Sequence, residues 1–283
     1  MNFSHEYQVF IDNARKLLSE AGIWDVESDL ECLIDRYLER SNKEQAYNEF
    51  MLAVYERCNR IPLGHIVNSV NFDGLPLVVG SGVFIPRTHS QLIHKWINKE
   101  SNIPSGSTVL DLCSGCGAIG LSIAKRRPDL NVVCVEYDTV AFQYLVRNIN
   151  RLSNLSIKAQ AFQTDLRDLQ SLDKFKKSVS LIVANPPYIP EKHSILPEWE
   201  KHHPYVSVYS GDDGLDLIRS IIIQSKQSLK ASGWLVIEHQ ENQQNAVGNL
   251  FLKEGFSQVR TIIDNDSSDT TGLSVITIGI NDF

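Results

Sequence analysis

The chain has 283 residues, of which 42% are apolar and 22% charged, the proportions of an ordinary globular protein. Its formal net charge of −7 argues against direct binding of long nucleic acid, because such proteins carry a cationic surface that displaces counterions. The apolar runs are shorter than the roughly 20 residues of a membrane span, and the first residues lack the pattern of a secretory signal. Five irregularly spaced cysteines are typical of reduced thiols, so we expect a cytoplasmic protein.

The first part of the chain, residues 1–60, is predicted to form a small helical domain. Between residues 7 and 58 glycine occurs once and proline is absent, and apolar residues recur at helical spacing. A helical segment of this kind suggests a lid or a recognition module rather than a site of chemistry. The two apolar stripes consist of Phe10, Ala14, Leu17 and Leu18, and of Leu30, Leu33, Ile34, Tyr37 and Leu38.

Residues 61–88 are predicted to connect this domain to the rest of the chain. The segment is rich in glycine, valine, phenylalanine and leucine, and apolar residues alternate at residues 75–79 and 83–85. Alternation of this kind predicts a β-hairpin. Helical spacing returns near residues 90–97.

The remaining residues, 89–283, are predicted to form an α/β domain. Strand and helix patterns alternate, which indicates a mostly parallel sheet with helices on both faces. The last two strands have no helix between them, so we expect an antiparallel hairpin joined by a polar turn at residues 265–271. The predicted strands are residues 109–112, 132–135, 157–162, 181–184, 234–237, 259–263 and 275–278, and the helices include 118–126, 139–152, 215–230 and 242–254.

The first chemical motif, DLCSGCG, runs from Asp111 to Gly117, after a predicted strand and before a predicted helix. Gly115 and Gly117 allow a ligand to approach the backbone closely, although a G-x-G pair alone also fits a tight structural turn. Glu136 ends the next strand, about 20 residues on, where the acid that holds the ribose of a nucleotide is found. Asp165 follows the third strand and is placed to meet an adenine amino group.

Cys113 and Cys116 form a C-x-x-C pair within this motif. Redox chemistry needs a suitable fold context and a zinc site needs a second pair of ligands. Since neither pattern is present, we expect no metal and no redox function.

The second motif, Asn185-Pro186-Pro187-Tyr188, closes the fourth predicted strand. The two prolines make a rigid turn without N–H donors, so the Asn185 side-chain oxygen and the Pro186 carbonyl can both accept hydrogen bonds from one –NH2 group. Tyr188 can stack on a planar group beside them. Such acceptors favour a transition state in which positive charge develops on nitrogen. The motif therefore predicts methylation of a planar, amide- or aryl-type nitrogen, aligned in line with a sulfonium donor.

A longer resemblance follows from the order of segments along the chain, which reads GHIVNSVNFDG, GVFIPR, DLCSGCGAIGLSIA, VE, TDL, NPPYI and GDDGLDLI. This order resembles the release-factor glutamine methyltransferases of the HemK/PrmC type, over most of the chain. NPPY is shared with other nitrogen methyltransferases, whereas residues 61–87 are similar to the connector of this family in particular.

The resemblance implies a class I methyltransferase fold, with a seven-stranded, mostly parallel, doubly wound sheet and an all-α N-terminal domain that helps to dock the protein partner. It implies N5-methylation of the glutamine in the Gly-Gly-Gln loop of a peptide-chain release factor. S-adenosylmethionine would be the methyl donor and S-adenosylhomocysteine the product.

The resemblance also implies roles for individual residues, and no metal ligand is among them. The residues that would contact the cofactor are Asp111, Cys113, Gly115, Gly117, Glu136, Tyr137, Asp165, Leu166 and Asn185. Those that would grip the glutamine amide are Asn185, Pro186, Pro187 and Tyr188. Those that would border the pocket are Phe84, Arg87, Tyr188 and His203.

The chain departs from the family pattern at three places. Residues 113–116 read CSGC where Gly-Thr-Gly is usual, residues 88–91 read THSQ in place of an acidic stretch, and His203-Pro204 replaces a Glu-Pro pair. Because the pocket rim is altered, an alternative function remains open, in which the protein is a divergent relative that methylates a small-molecule nitrogen. Amino-methylation of nucleic acid is a third reading, which the charge disfavours. A cofactor-binding module without catalysis is a fourth, against which the intact NPPY argues.

Overall fold

The computed structural model describes residues 5–38, 43–100, 102–269 and 272–282. Its contacts divide the chain into two compact units. The first unit extends to Ser69 and also includes the later segment Ile195–His202. The second unit comprises Val70–Ser194 and the chain from His203 onwards.

The first unit is built from helices that bury one apolar face each. The predicted stripes are confirmed, since Ala14, Leu18, Leu30 and Leu33 belong to one buried cluster. The second helix begins after Asp25, whose carboxylate accepts a hydrogen bond from the Ser28 N–H, as N-cap residues commonly do. The helices are α1 (His5–Glu20), α2 (Val26–Tyr37), α3 (Lys43–Cys58), α4 (Leu63–Val67) and the short helix Pro197–His202.

Ion pairs tie the later segment into this unit. Arg57, of which 8% is exposed, donates from Nε to Asp29 at 2.6 Å and from Nη1 to Glu198 at 3.1 Å. Arg60 donates to the other Glu198 oxygen at 2.8 Å. Because these charges are largely buried, removal of one partner leaves its neighbour poorly compensated.

The connector holds a two-stranded sheet, β1 (Ser69–Phe72) with β2 (Leu75–Val78). The alternating residues 83–85 do not form a strand of the described chain, and the partner of β2 precedes it. The turn is Asp73-Gly74, where φ is 54° and 69°. Positive φ at both central residues is the geometry that Asp-Gly favours in two-residue hairpins.

The second unit is an α/β fold around one seven-stranded sheet, as predicted. Its strand order is β5-β4-β3-β6-β7-β9-β8, and β9 runs in the direction opposite to that of the six other strands of the described sheet. The strands are β3 (Thr108–Leu112), β4 (Asn131–Glu136), β5 (Gln160–Gln163), β6 (Val179–Ala184), β7 (Leu229–Glu238), β8 (Phe256–Asp269) and β9 (Gly272–Asn281). The helices of this unit are α5 (Gln91–Glu100), α6 (Ala118–Arg126), α7 (Thr139–Ser153), α9 (Asp216–Ser228) and α10 (Gln244–Lys253), and α8 is the Pro197–His202 helix of the first unit.

The central strands are buried on both faces. Leu181 and Val183 of β6 pack into one apolar cluster, and Ile182 and Ala184 pack into another. Successive side chains of a strand point to opposite faces, so helices must cover both sides of the sheet. This burial explains why the strand segments read as continuous apolar runs.

Most predicted boundaries differ from the structure by a few residues, and three of the differences concern a strand, a helix and a turn. The strand predicted at residues 157–162 lies at Gln160–Gln163, and the helix predicted to end at residue 230 ends at Ser228 because β7 begins there. The polar turn predicted at residues 265–271 is wrong as far as residue 269, because Ser268 and Asp269 pair with β9. Residues 270 and 271 lie outside the described residues. Ladder hydrogen bonds have overridden polar composition in this segment.

The order of the strands creates a crevice at one edge of the sheet. The chain leaves β3 towards β4 and β5 on one side and then returns to β6 on the other side. Leu112 of β3 pairs with Ala184 of β6, so both strands end side by side. Open α/β sheets bind ligands outside the carboxyl ends of the strands at such a switch point. Both sequence motifs start at this place.

Asn148 of α7 links the hairpin to the first motif. It is fully buried, and its Oδ1 accepts from the Val78 N–H at 2.8 Å. Its Nδ2 donates to the carbonyl oxygens of Val78 at 3.0 Å and Cys116 at 2.9 Å. One side chain thus makes hydrogen bonds to three backbone groups that are buried away from water.

We predict that Asn148→Ala lowers the free energy of unfolding by about 2–4 kcal/mol, because it strands buried donors and acceptors. Urea unfolding followed by circular dichroism measures the loss. Asn150 is exposed on the same helix, and Asn150→Ala should change the stability by less than about 0.5 kcal/mol. Equal losses in the two variants would contradict the structural role of Asn148.

Candidate active site

The first motif forms a loop that is braced by Glu136. The Glu136 carboxylate accepts a hydrogen bond from the Gly115 N–H at 2.7 Å and, through its other oxygen, from the Tyr137 and Asp138 N–H groups at 2.8 Å each. A carboxylate offers about four lone-pair positions, so one remains for a ligand. Glu136 therefore shapes the loop, and its predicted contact with a ribose would use the position that remains.

The two glycines of the motif have different surroundings. A β-carbon built on Gly115, where φ is 55°, would meet no atom of the described residues within 4 Å. The same atom on Gly117 would approach Leu145 at 2.7 Å and Leu121 at 2.8 Å. Gly115 thus faces open space that a bound group can fill, whereas Gly117 is required for the packing of α6 against α7.

Asp111 lies at the end of β3 and is fully buried. Its Oδ2 accepts from the Gly120 N–H at 2.8 Å. Burial raises the pKa of Asp111 to about 7, although the hydrogen bond from the Gly120 N–H lowers it. The carboxyl therefore titrates near neutral pH. A cationic group bound at the loop would favour its ionised form.

The cysteines of the C-x-x-C pair are both free. Burial raises the pKa of Cys116 to about 12 and that of Cys113 well above its usual range. Because the thiolate is the reactive form and the metal ligand, these thiols are inert near neutral pH. Cys113 has a φ of 58°, a left-handed conformation that glycine adopts at lower cost.

Three predicted cofactor contacts lie past the ends of β4 and β5, namely Tyr137 and the two residues predicted to meet the adenine, Asp165 and Leu166. Tyr137 is 48% exposed, and the guanidinium of Arg167 lies over its ring at 4.6 Å. The same guanidinium pairs with the Asp165 carboxylate at 2.8 Å and holds the pKa of Asp165 below its usual range. Leu166 is buried in the core, and its carbonyl accepts a hydrogen bond from Gln224. Sequence reasoning missed Arg167, which has no motif of its own.

The second motif follows β6 at the same edge. Pro186 and Pro187 are buried, and Asn185 and Tyr188 are half-buried. Asn185 donates from Nδ2 to the Ser90 hydroxyl oxygen at 2.9 Å. The nitrogen end of this amide is thus engaged by the protein, and its oxygen end is left to accept a hydrogen bond from a ligand.

Backbone contacts hold this motif in place. The Tyr188 carbonyl accepts from Gln243 Nε2 at 2.8 Å, and a β-carbon on Gly214 would approach that carbonyl oxygen at 2.2 Å. Ile189 donates from its N–H to the Val208 carbonyl at 3.0 Å. Sequence reasoning did not assign Gln243. The GDDG segment that ends at Gly214 signalled this close approach of two chain segments.

The structure brings the predicted rim residues together in pairs. The rings of Phe84 and His203 have centroids 4.6 Å apart, and His203 Nε2 accepts from the Ile85 N–H at 3.4 Å. Arg87 lies 3.5 Å from the Tyr188 hydroxyl. The rim therefore combines aromatic surface with a fixed positive charge beside the NPPY motif.

Comparison with known proteins places these features in a family. The family model described as "Methyltransferase small domain" matches residues 82–198. The release factor glutamine methyltransferase of Mycolicibacterium smegmatis is 32% identical over 87% of this chain and 88% of its own length. That of Clostridium acetobutylicum is 31% identical, over 85% and 86%.

The chain belongs to the release factor glutamine methyltransferase family. This membership confirms the predicted resemblance and makes the protein an S-adenosylmethionine-dependent N-methyltransferase. The structure fits such a cofactor, since open space at Gly115 lies next to a carboxylate with one lone-pair position to spare. The ligand roles of single residues remain predictions.

Solved structures agree on the fold. A methyltransferase from Pyrococcus furiosus aligns with a TM-score of 0.50 at 17% identity, over 74% of this chain and 90% of that one. The hMettl16 catalytic domain, solved with an RNA hairpin, aligns with a TM-score of 0.55 at 13% identity, over 83% and 81%. Within the described part of the chain, no helix is long and apolar enough to cross a membrane.

We predict that Asp111→Asn changes how the stability of the cofactor-free protein depends on pH. The raised pKa of Asp111 contributes stability that is present below about pH 4 and is lost as the pH rises to about 7. Relative to wild type, the variant should therefore gain roughly 3–4 kcal/mol over this interval, at about 1.4 kcal/mol per pKa unit.

Urea unfolding of both proteins at pH 4, 5.5, 7 and 8 measures this difference. Asp165→Asn serves as the control, because the pKa of Asp165 is lowered rather than raised and its effect should be flat above pH 5. A flat difference for Asp111→Asn as well would show that the carboxyl ionises normally.

Proposed function

We propose that this protein methylates the side-chain amide nitrogen, N5, of the glutamine in the Gly-Gly-Gln loop of a peptide-chain release factor. The observation that carries the proposal is the hydrogen bond from Asn185 Nδ2 to Ser90, which leaves the Asn185 oxygen as an acceptor for the substrate amide. The curated relatives named as release factor glutamine methyltransferases, with identities up to 32% over most of the chain, support it.

In the proposed mechanism the protein contributes hydrogen-bond acceptors, alignment and exclusion of water. When bound, S-adenosylmethionine supplies an electrophilic methyl group on a sulfonium. Asn185 Oδ1 and the Pro186 carbonyl accept the two amide hydrogens, and their attraction grows as positive charge develops on nitrogen. As the nitrogen–carbon bond forms, the carbon–sulfur bond of the donor would break and S-adenosylhomocysteine would be the leaving group. The methylated nitrogen then releases one proton to solvent and returns to a planar amide. No covalent enzyme intermediate is required.

The rest of the site is proposed to position donor and acceptor. Gly115 leaves room for the cofactor, Glu136 takes one ribose hydroxyl, and Asp165 with Tyr137 borders the adenine. Tyr188 lies beside the planar amide, and Phe84, Arg87 and His203 line the entry of the loop. An acceptor held in line with the methyl group gains most of its rate from this alignment.

The helical first unit is proposed to dock the release factor. A Gly-Gly-Gln loop offers few contacts of its own. A second contact area on the first unit would make the affinity for the whole release factor higher than the affinity for the isolated loop. The cytoplasm remains the predicted location.

The direct test is methyl transfer from labelled S-adenosylmethionine to purified release factor, with a Gly-Gly-Ala loop variant as the matched control. We expect label on the factor that carries glutamine and none on the control. Equal label on both factors, or none on either, would contradict the proposed substrate.

We predict that Asn185→Ala lowers kcat by at least about 10²–10³-fold, the range for removal of a transition-state hydrogen bond. Cofactor affinity should change far less, because Asn185 is only one of the predicted cofactor contacts. Stopped-time assays and calorimetry measure the two quantities. The exposed Asn150→Ala variant should match wild type in both. An Asn185→Ala enzyme with substantial turnover would exclude the amide-grip mechanism.

A further inference from the structure

Three polar side chains from separate parts of the second unit meet behind the NPPY motif. Ser90 precedes α5, Asn185 follows β6, and Glu238 ends β7. Because Ala184 pairs in parallel with Ile237, Asn185 and Glu238 leave the sheet side by side. Both Ser90 and Glu238 are 2% exposed, so water cannot replace the bonds among them.

The hydrogen bonds in this group have a fixed direction. The Ser90 hydroxyl donates to the Glu238 carboxylate, and the Ser90 oxygen accepts from Asn185 Nδ2 at 2.9 Å. A serine hydroxyl has one hydrogen to donate. With Glu238 ionised, a flipped Asn185 amide would require Ser90 to donate to Asn185, and the carboxylate would lose its bond from Ser90. The ionised group therefore admits one orientation of the amide.

The group of Ser90, Asn185 and Glu238 lowers the stability of the fold, because it buries an acidic side chain. Burial raises the pKa of Glu238, while the Ser90 hydroxyl and the charge of Arg87 lower it. Its second oxygen, Oε2, has no hydrogen-bond partner among the described residues. A buried acid with an unsatisfied oxygen destabilises a fold, and such groups often serve a functional site.

We propose that Ser90 and Glu238 are positioning residues that hold the Asn185 amide with its oxygen towards the methyl acceptor. This inference rests on the proposed function, in which Asn185 accepts a hydrogen bond from the substrate amide. Glu238 orients Ser90, and Ser90 takes up the Asn185 nitrogen. Neither residue needs to touch the substrate. Without them, Asn185 could present an –NH2 group to another –NH2 group, which repels the acceptor.

The test compares kinetic constants on the release factor. We expect Ser90→Ala to lower kcat by about 10-fold to 100-fold, as loss of alignment does, with cofactor affinity within about twofold of wild type. Ser90→Thr retains the hydroxyl and should restore most of kcat. Ser225 is fully buried in α9, and its hydroxyl has no partner in the described structure; Ser225→Ala is the matched control and should behave as wild type.

A second variant covers the case in which Ser90→Ala does not fold. Glu238→Gln has the same shape, but its –NH2 group can donate to the Ser90 oxygen and compete with Asn185. It should lower kcat with unchanged cofactor affinity. A folded Ser90→Ala or Glu238→Gln enzyme with wild-type kcat would overturn the proposal, and so would a loss of cofactor affinity as large as the loss of kcat.

Hydrogen exchange of the Asn185 side-chain –NH2, followed by NMR in the full-length protein, separates this proposal from the proposed function. We expect slow exchange in wild type and fast exchange in Ser90→Ala. If this exchange result were found together with no methyl label on the release factor, the positioning role would be supported and only the proposed substrate would be contradicted. Equal exchange in both proteins would overturn the positioning role, whatever the substrate.

Discussion

The site depends on the parallel pairing of β3 with β6, since it brings the ends of two distant chain segments to one point. Leu112 and Ala184 are partners in this ladder, and the residues that follow each of them carry one motif. The chain reverses its winding direction between these strands, and open α/β sheets bind ligands outside the strand ends at such a point. Donor and acceptor groups can therefore meet there without a dedicated binding domain.

Polar groups at this edge are buried at a cost, and their mutual hydrogen bonds limit it. Glu136 binds three backbone N–H groups of two loops, and Asn148 satisfies the hairpin and the first loop together. Such networks have few alternative arrangements because each lost bond leaves a buried group unsatisfied. The resulting rigidity is what alignment of a weak amide nucleophile demands.

Local sequence patterns predict most of the fold and both motifs, but they do not predict contacts between residues that are distant in the sequence. The seven strands and the NPPY turn are visible in short windows of sequence. The roles of Ser90 and Glu238 cannot be read from such windows. The two residues come together only when β6 pairs with β7 beside the start of α5. Apolar alternation indicates β2 but not its partner Ser69–Phe72, because the local marker of that pairing is the Asp-Gly turn at Gly74.

The proposed methyl acceptor is an amide nitrogen that Asn185 and Pro186 hold by its hydrogens. NMR of a release factor labelled with ¹⁵N in the glutamine side chain, recorded before and after reaction, reports on this nitrogen itself. We expect the paired –NH2 signals of the Gly-Gly-Gln glutamine to give way to one N–H signal coupled to a new methyl group. An unchanged –NH2 pair in a factor that has gained a methyl group would contradict it.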